Sequence, residues 1–194
     1  MEVCAGGIRG FGDVISVEGI DVMPMYFAPD EMKEYPEEVP AGKLLATEGR
    51  SYPVGRLASV ETLSVLHEKD RAWTKLILRV KEHPRSFFDA WYSRESGGMF
   101  DGEDPGRAAL RHEVLFYHRV ADEFPDHFLQ ALYAKNDCWF PSRKRTGEAI
   151  RGFAGKPTDC CERLLRVVRL GSSADTIEAS IREMRAPARE LTSC

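Results

Sequence analysis

Residues 124–171, FPDHFLQALYAKNDCWFPSRKRTGEAIRGFAGKPTDCCERLLRVVRLG, read as three helical patterns separated by sharply punctuated turns. The patterns cover residues 125–136, 142–153 and 157–170, and Gly171 is placed to follow the last as a C′ glycine. The turn between the first two carries Trp139, Phe140 and Pro141 and then the basic run Arg143, Lys144, Arg145.

Working back toward the N-terminus, the 3.6-residue period starts near Ser59, an N-cap candidate for a helix over residues 59–66. Asp70 is placed to cap a second helix with Trp73, Leu76, Ile77 and Val80 on one stripe. Pro84 punctuates before Phe87, Phe88, Trp91 and Tyr92. Residues 93–106, SRESGGMFDGEDPG, are dense in glycine and acid and read as a loop. Residues 107–121 then read as one broad apolar helix. A last helix spans 174–184, and Pro187 is expected to kink or end it. The apolar stripes put Trp73, Leu76, Val80, Leu115, Leu132, Leu164 and Val168 in the core.

The first 55 residues follow a different period. Runs at 13–17 and 20–27 lean to β structure and are joined by Glu18-Gly19, the signature of a two-residue hairpin turn. Pro24 demotes part of the second run to an edge or bulge. A third short run lies at 43–46. The expected fold class is therefore α+β, with a small β-rich subdomain over 1–55 followed by a mainly α-helical bundle over 56–194. Three short strands cannot bury a sheet face alone. They call for cover from the helices or from a separate protein partner that completes the sheet.

At 194 residues with 43% hydrophobic content, the chain is long enough for one good core or a core plus a satellite. A net charge of -4 argues against a nucleic-acid partner. No apolar run approaches the roughly 20 residues of a membrane span, and the N-terminus lacks a signal pattern. A soluble, cytoplasmic protein with no membrane partner is the expectation. Five cysteines without a C-x-x-C pair read as reduced thiols, with Cys160 or Cys161 filling the core.

Most motif candidates fail on spacing. His112-Glu113 with His118 departs from a zinc-protease helix, because a second histidine six residues on is turned by about 240°. The glycines at 6, 7, 10 and 12 lack the G-x-x-x-x-G-K spacing of a phosphate loop and read as a turn entering the hairpin. There is no G-x-S-x-G elbow and no kinase motif set.

The segment from Tyr133 through Trp139, Phe140, Pro141 and Arg143–Arg145, followed by a helix and then Lys156-Pro157 opening another, resembles the C-terminal helical region of nucleotidyltransferase-fold proteins, particularly the DUF4037-like group. The run around Asp21 and residues 42–46 with Glu48-Gly49 look like the end of the catalytic sheet in that family. The resemblance implies Mg²⁺-dependent transfer of a nucleoside monophosphate from an NTP to a small hydroxylated acceptor. It assigns Asp21 as the third metal-binding and catalytic carboxylate, and Arg143, Lys144 and Arg145 as contacts to the nucleotide. The family's Gly-Ser turn and paired carboxylates have no counterpart here: Ile8 stands where serine is expected, and Asp13, Glu18 and Asp21 share no i, i+2 spacing. The chain is thus expected to be catalytically incomplete. The alternative is a non-catalytic helical binding or interaction module.

Each candidate also has a plainer place in a fold. Alternation puts Asp21 opposite Ile20 and Val22, the position of a solvent-facing acid. Three basic residues at a helix start oppose the helix dipole, which points to an anion or an acidic neighbour. Trp139 and Phe140 are expected to pack in the core against Tyr133, the alternative being to stack a base.

Overall fold

The computed structural model describes residues 3–5, 11–22, 24–26, 53–100 and 104–193. The chain is α+β: short antiparallel strands come first, and nine helices follow among the described residues. It divides into two compact units, Met1–His83 and Pro84–Cys194, so the first two helices group with the strands.

In the first unit, β1 (Val3–Ala5), β2 (Phe11–Asp13) and β5 (Met25–Tyr26) form an antiparallel sheet in the order β1-β2-β5. Inserted between β2 and β5 is the hairpin of β3 (Ile15–Val17) and β4 (Ile20–Val22), whose register pairs Val17 with Ile20. Glu18 and Gly19 both have positive φ, 52° and 79°, as a type I′ turn requires. The glycines at 6, 7 and 10 and the run at 43–46 lie outside the described residues.

Helix α1 (Pro53–Glu61) begins earlier than Ser59, because Pro53 supplies a preset φ at the first helical position. Ser59 instead sits inside the helix and donates to the Gly55 carbonyl at 2.9 Å. Helix α2 (Ala72–Lys81) is not capped by Asp70. Asp70 and Arg71 are both left-handed, and the Glu68 carboxylate accepts from Thr74 N at 3.0 Å in its place. Leu76 and Val80 are buried and Trp73 is half-buried.

The second unit is a bundle of α3 (Arg85–Gly98), α4 (Pro105–Arg111), α5 (Val114–Ala121), α6 (Glu123–Lys135), α7 (Thr146–Gly152), α8 (Cys160–Leu170) and α9 (Ile177–Ser193). Its most extensive helix pairings are α3 with α6 and α8 with α9. Phe128, Ala131, Leu132 and Ala134 of α6 are fully buried, which makes α6 the central helix. Trp139 packs on Phe88 with ring centroids 5.0 Å apart, and Phe140 meets Tyr133 edge-on at 5.2 Å.

Two of the expected element boundaries differ in this unit. The segment 93–98 is helix and not loop, because Glu95 and Met99 are buried and their burial carries α3 through two glycines. The single helix over 107–121 is two helices. His112 takes a left-handed conformation (φ 56°), while His112 N and Glu113 N donate to the carbonyls of Ala109 and Ala108 in a Schellman closure. The restart changes the helical phase, and Leu115 is left 88% exposed. The break also places His112 and His118 on separate elements, so their relation is not set by rotation along one helix.

Pro187 lies inside α9 without ending it. The buried stripe Ile177, Ile181, Met184, Ala188, Leu191 runs across the proline at unbroken heptad spacing. Beyond it, Tyr92 and Lys135 both donate to the Leu191 carbonyl, at 2.9 and 2.6 Å.

Candidate functional site

The sequence CCERLLRVVRL of α8 carries more apolar residues than one packing face can use. Cys160 and Val167 are buried on the stripe that faces the bundle, where α8 meets α9. Leu165 and Val168, three apart on the neighbouring stripe, stay 49% and 57% exposed. Val168 therefore does not enter the core as expected, and Leu164 is half-buried.

This second stripe forms one wall of a groove of about 560 Å³. Ile150 and Gly147 of α7 supply another wall, Tyr117 and Ala121 of α5 a third, and Pro125 and Leu129 of α6 the remainder. Both the volume and the predominantly apolar lining suit a small organic molecule.

The polar rim is closed by Arg143. Its Nε and Nη2 donate to the two carboxylate oxygens of Asp126, each at 2.7 Å, and Nη1 donates to Asp122 Oδ1 at 2.6 Å. Nη2 also donates to the Asp122 carbonyl at 2.6 Å. The Asp126 carboxylate, with Asp122 adding to it, raises the guanidinium pKa above its ordinary value. The acidic neighbour suggested by the dipole argument is thus this aspartate pair, and the fork matches a carboxylate in the way that gives Arg its strong charge-assisted bonds.

Lys144 and Arg145 do not line the groove. They are exposed in the turn before α7, where Arg145 is left-handed (φ 56°) and Lys144 N donates to Ser142 Oγ at 3.1 Å. Cys161 does line the groove, with its thiol directed at the Gly147 carbonyl. Cys160 is the core thiol, and burial pushes its pKa up to about 12.

Asp21 lies in the first unit on β4, exposed and paired across the hairpin with Ser16. Among the described residues no three His, Cys, Asp or Glu side chains gather as a metal-holding group. A lone exposed strand acid opposite a serine does not fit Mg²⁺, which needs several converging oxygens.

Sequence reasoning missed one further arrangement. Glu95, only 4% exposed, receives His127 Nδ1 at 2.8 Å across the α3–α6 contact. Gly98 makes room for it, since a Cβ there would sit 3.1 Å from the imidazole. The signal in the sequence was limited to the glycine pair two and three residues after Glu95, in a segment that reads as loop.

The chain matches no family model, no curated protein and no solved structure. Among the described residues no helix is long and apolar enough to cross a membrane.

Proposed function

We propose that the helical unit is a non-catalytic binding module whose groove between α5, α6, α7 and α8 receives a neutral, mostly apolar small molecule. The observation that carries this reading is the combination of exposed Leu165 and Val168 with a rim cation already neutralised by Asp122 and Asp126. Arg143 has its fork committed internally, so a charged headgroup finds no uncommitted guanidinium there, while the apolar walls reward removal of hydrocarbon from water. Nucleotidyl transfer rests on the resemblance at residues 133–157 alone, since Asp21, exposed on its hairpin opposite Ser16, does not fit the Mg²⁺ that the reaction requires.

The test is fluorescence titration with the neutral probe N-phenyl-1-naphthylamine. Saturable enhancement is expected, weakened about tenfold or more by Leu165→Asp, a change at an exposed position that leaves the fold intact by circular dichroism. Absence of saturation, or indifference to Leu165→Asp and Ile150→Trp alike, would sink the reading. Displacement of the probe only by amphipathic helical peptides would replace the small molecule with a protein segment.

A further inference from the structure

A second cavity, of about 540 Å³, shares no lining residue with the groove. It lies between the end of α3, the start of α4 and the last turns of α9. We propose that it binds an organic phosphate monoester, with Arg185 and Arg189 holding the phosphate and Phe100 receiving an aromatic body.

Arg185 and Arg189 are four residues apart on α9, so they rise from one helical face, and both are exposed. Two like charges at this spacing repel each other, and among the described residues neither forms a salt bridge. The acids of α9 are drawn elsewhere: Glu183 and Glu190 pair with Arg163, and Glu178 with Arg182. A ligand of charge near −2 offsets the repulsion, and guanidinium forks match phosphate oxygens bidentately. A singly charged carboxylate would leave one arginine uncompensated.

The other contributors narrow the ligand further. Ser96 and Thr192 border the cavity, but their hydroxyl protons go to the carbonyls of Ser93 and Ala188, leaving the arginines as donors. Asp104, also on the border, accepts from Gly106 N at 2.9 Å as the cap of α4. Phe100 stacks on Phe124 with centroids 5.6 Å apart yet is 47% exposed, so a flat ring can extend that stack.

The experiment uses the full chain and three probes: naphthyl phosphate, naphthol and inorganic phosphate. Fluorescence titration should show saturable binding of naphthyl phosphate, with naphthol and inorganic phosphate each about tenfold weaker or worse. Arg185→Gln and Arg189→Gln should each weaken the ester by a similar factor, with circular dichroism unchanged and the phenylnaphthylamine signal of the groove retained. Phe100→Leu should narrow the gap between the ester and inorganic phosphate. No saturation by the ester, equal binding of naphthol, or indifference to both arginine changes would overturn the proposal.

Discussion

The Tyr117 hydroxyl lies 2.6 Å from Ser180 Oγ, and Ser180 donates in turn to the Val167 carbonyl at 2.6 Å. Because the single serine proton is committed to Val167, Tyr117 is the donor of the pair. One buried chain therefore joins α5, α9 and α8. Gly171 completes the junction, since a Cβ there would stand 2.5 Å from the Tyr117 ring. The glycine is needed for this close approach and not for a left-handed cap; its φ is −73°.

This chain orders three substitutions. Ser180→Ala strands the buried tyrosine hydroxyl and should cost about 1–3 kcal/mol. Tyr117→Phe should cost less, about 0.5–1.5 kcal/mol, because Ser180 keeps its bond to Val167. Gly171→Ala should cost about 1–3 kcal/mol by overpacking. Urea denaturation checks the order, and a Tyr117→Phe protein less stable than Ser180→Ala would contradict the assigned donor direction.

Local chemistry made some of this fold readable and left other parts hidden. Glu18-Gly19 announces its hairpin because few residue pairs accept two positive φ values, and α6 announces itself through a stripe that stays buried along its whole length. The break at His112 carries no glycine or proline, so nothing in the sequence separates α4 from α5. Helix α3 reads as ending early because its continuation depends on His127, thirty-two residues away from Glu95. The groove was half-visible. Arg143 stands out as a misplaced cation, and its partners Asp122 and Asp126 come together with it only when α6 and the following turn are folded.

The Glu95–His127 pair makes stability depend on pH. The hydrogen bond to Glu95 raises the His127 pKa, opposed by burial and supported by the charges of Glu95, Glu123 and Asp126. A histidine raised in the folded state contributes stability that is fully present below its unfolded pKa, about 6.5, and is lost as pH rises through the folded value. His83 acts in the opposite sense, because burial lowers its pKa. The difference between wild type and His127→Gln isolates the pair. That difference should be largest near pH 6 and shrink by pH 8.5 in thermal unfolding; a difference that grows with pH would show that His127 is held neutral.

Core positions and phase-shifted positions should separate cleanly. Leu132 is fully buried, so Leu132→Ala should cost about 2–5 kcal/mol. Leu115 and Val168 share the apolar character of Leu132 but are 88% and 57% exposed, and alanine there should change stability by about 0.5 kcal/mol or less. Denaturant midpoints decide the matter. A large loss at Leu115 would mean that α4 and α5 form one helix in solution.

The electrostatic balance at the groove rim gives the sharpest test of ligand charge. With Asp122 and Asp126 in place, the field of Arg143 is offset by two carboxylates within bonding distance. The double change Asp122→Asn with Asp126→Asn keeps side-chain shape and one acceptor oxygen at each position, breaks the two-oxygen fork to Asp126 and removes both negative charges, leaving a cation at the mouth of an apolar groove. An anionic naphthalene sulfonate should then gain roughly three- to tenfold in affinity, while the neutral phenylnaphthylamine probe changes little, because interaction with a partly exposed charge is modest. The gain should fade as salt is raised above about 0.15 M, where the screening length drops below about 8 Å. Titrating both probes at low and high salt separates charge from shape. Equal changes for the two probes would place the bound molecule away from Arg143, and the claim that the rim selects neutral ligands would fall.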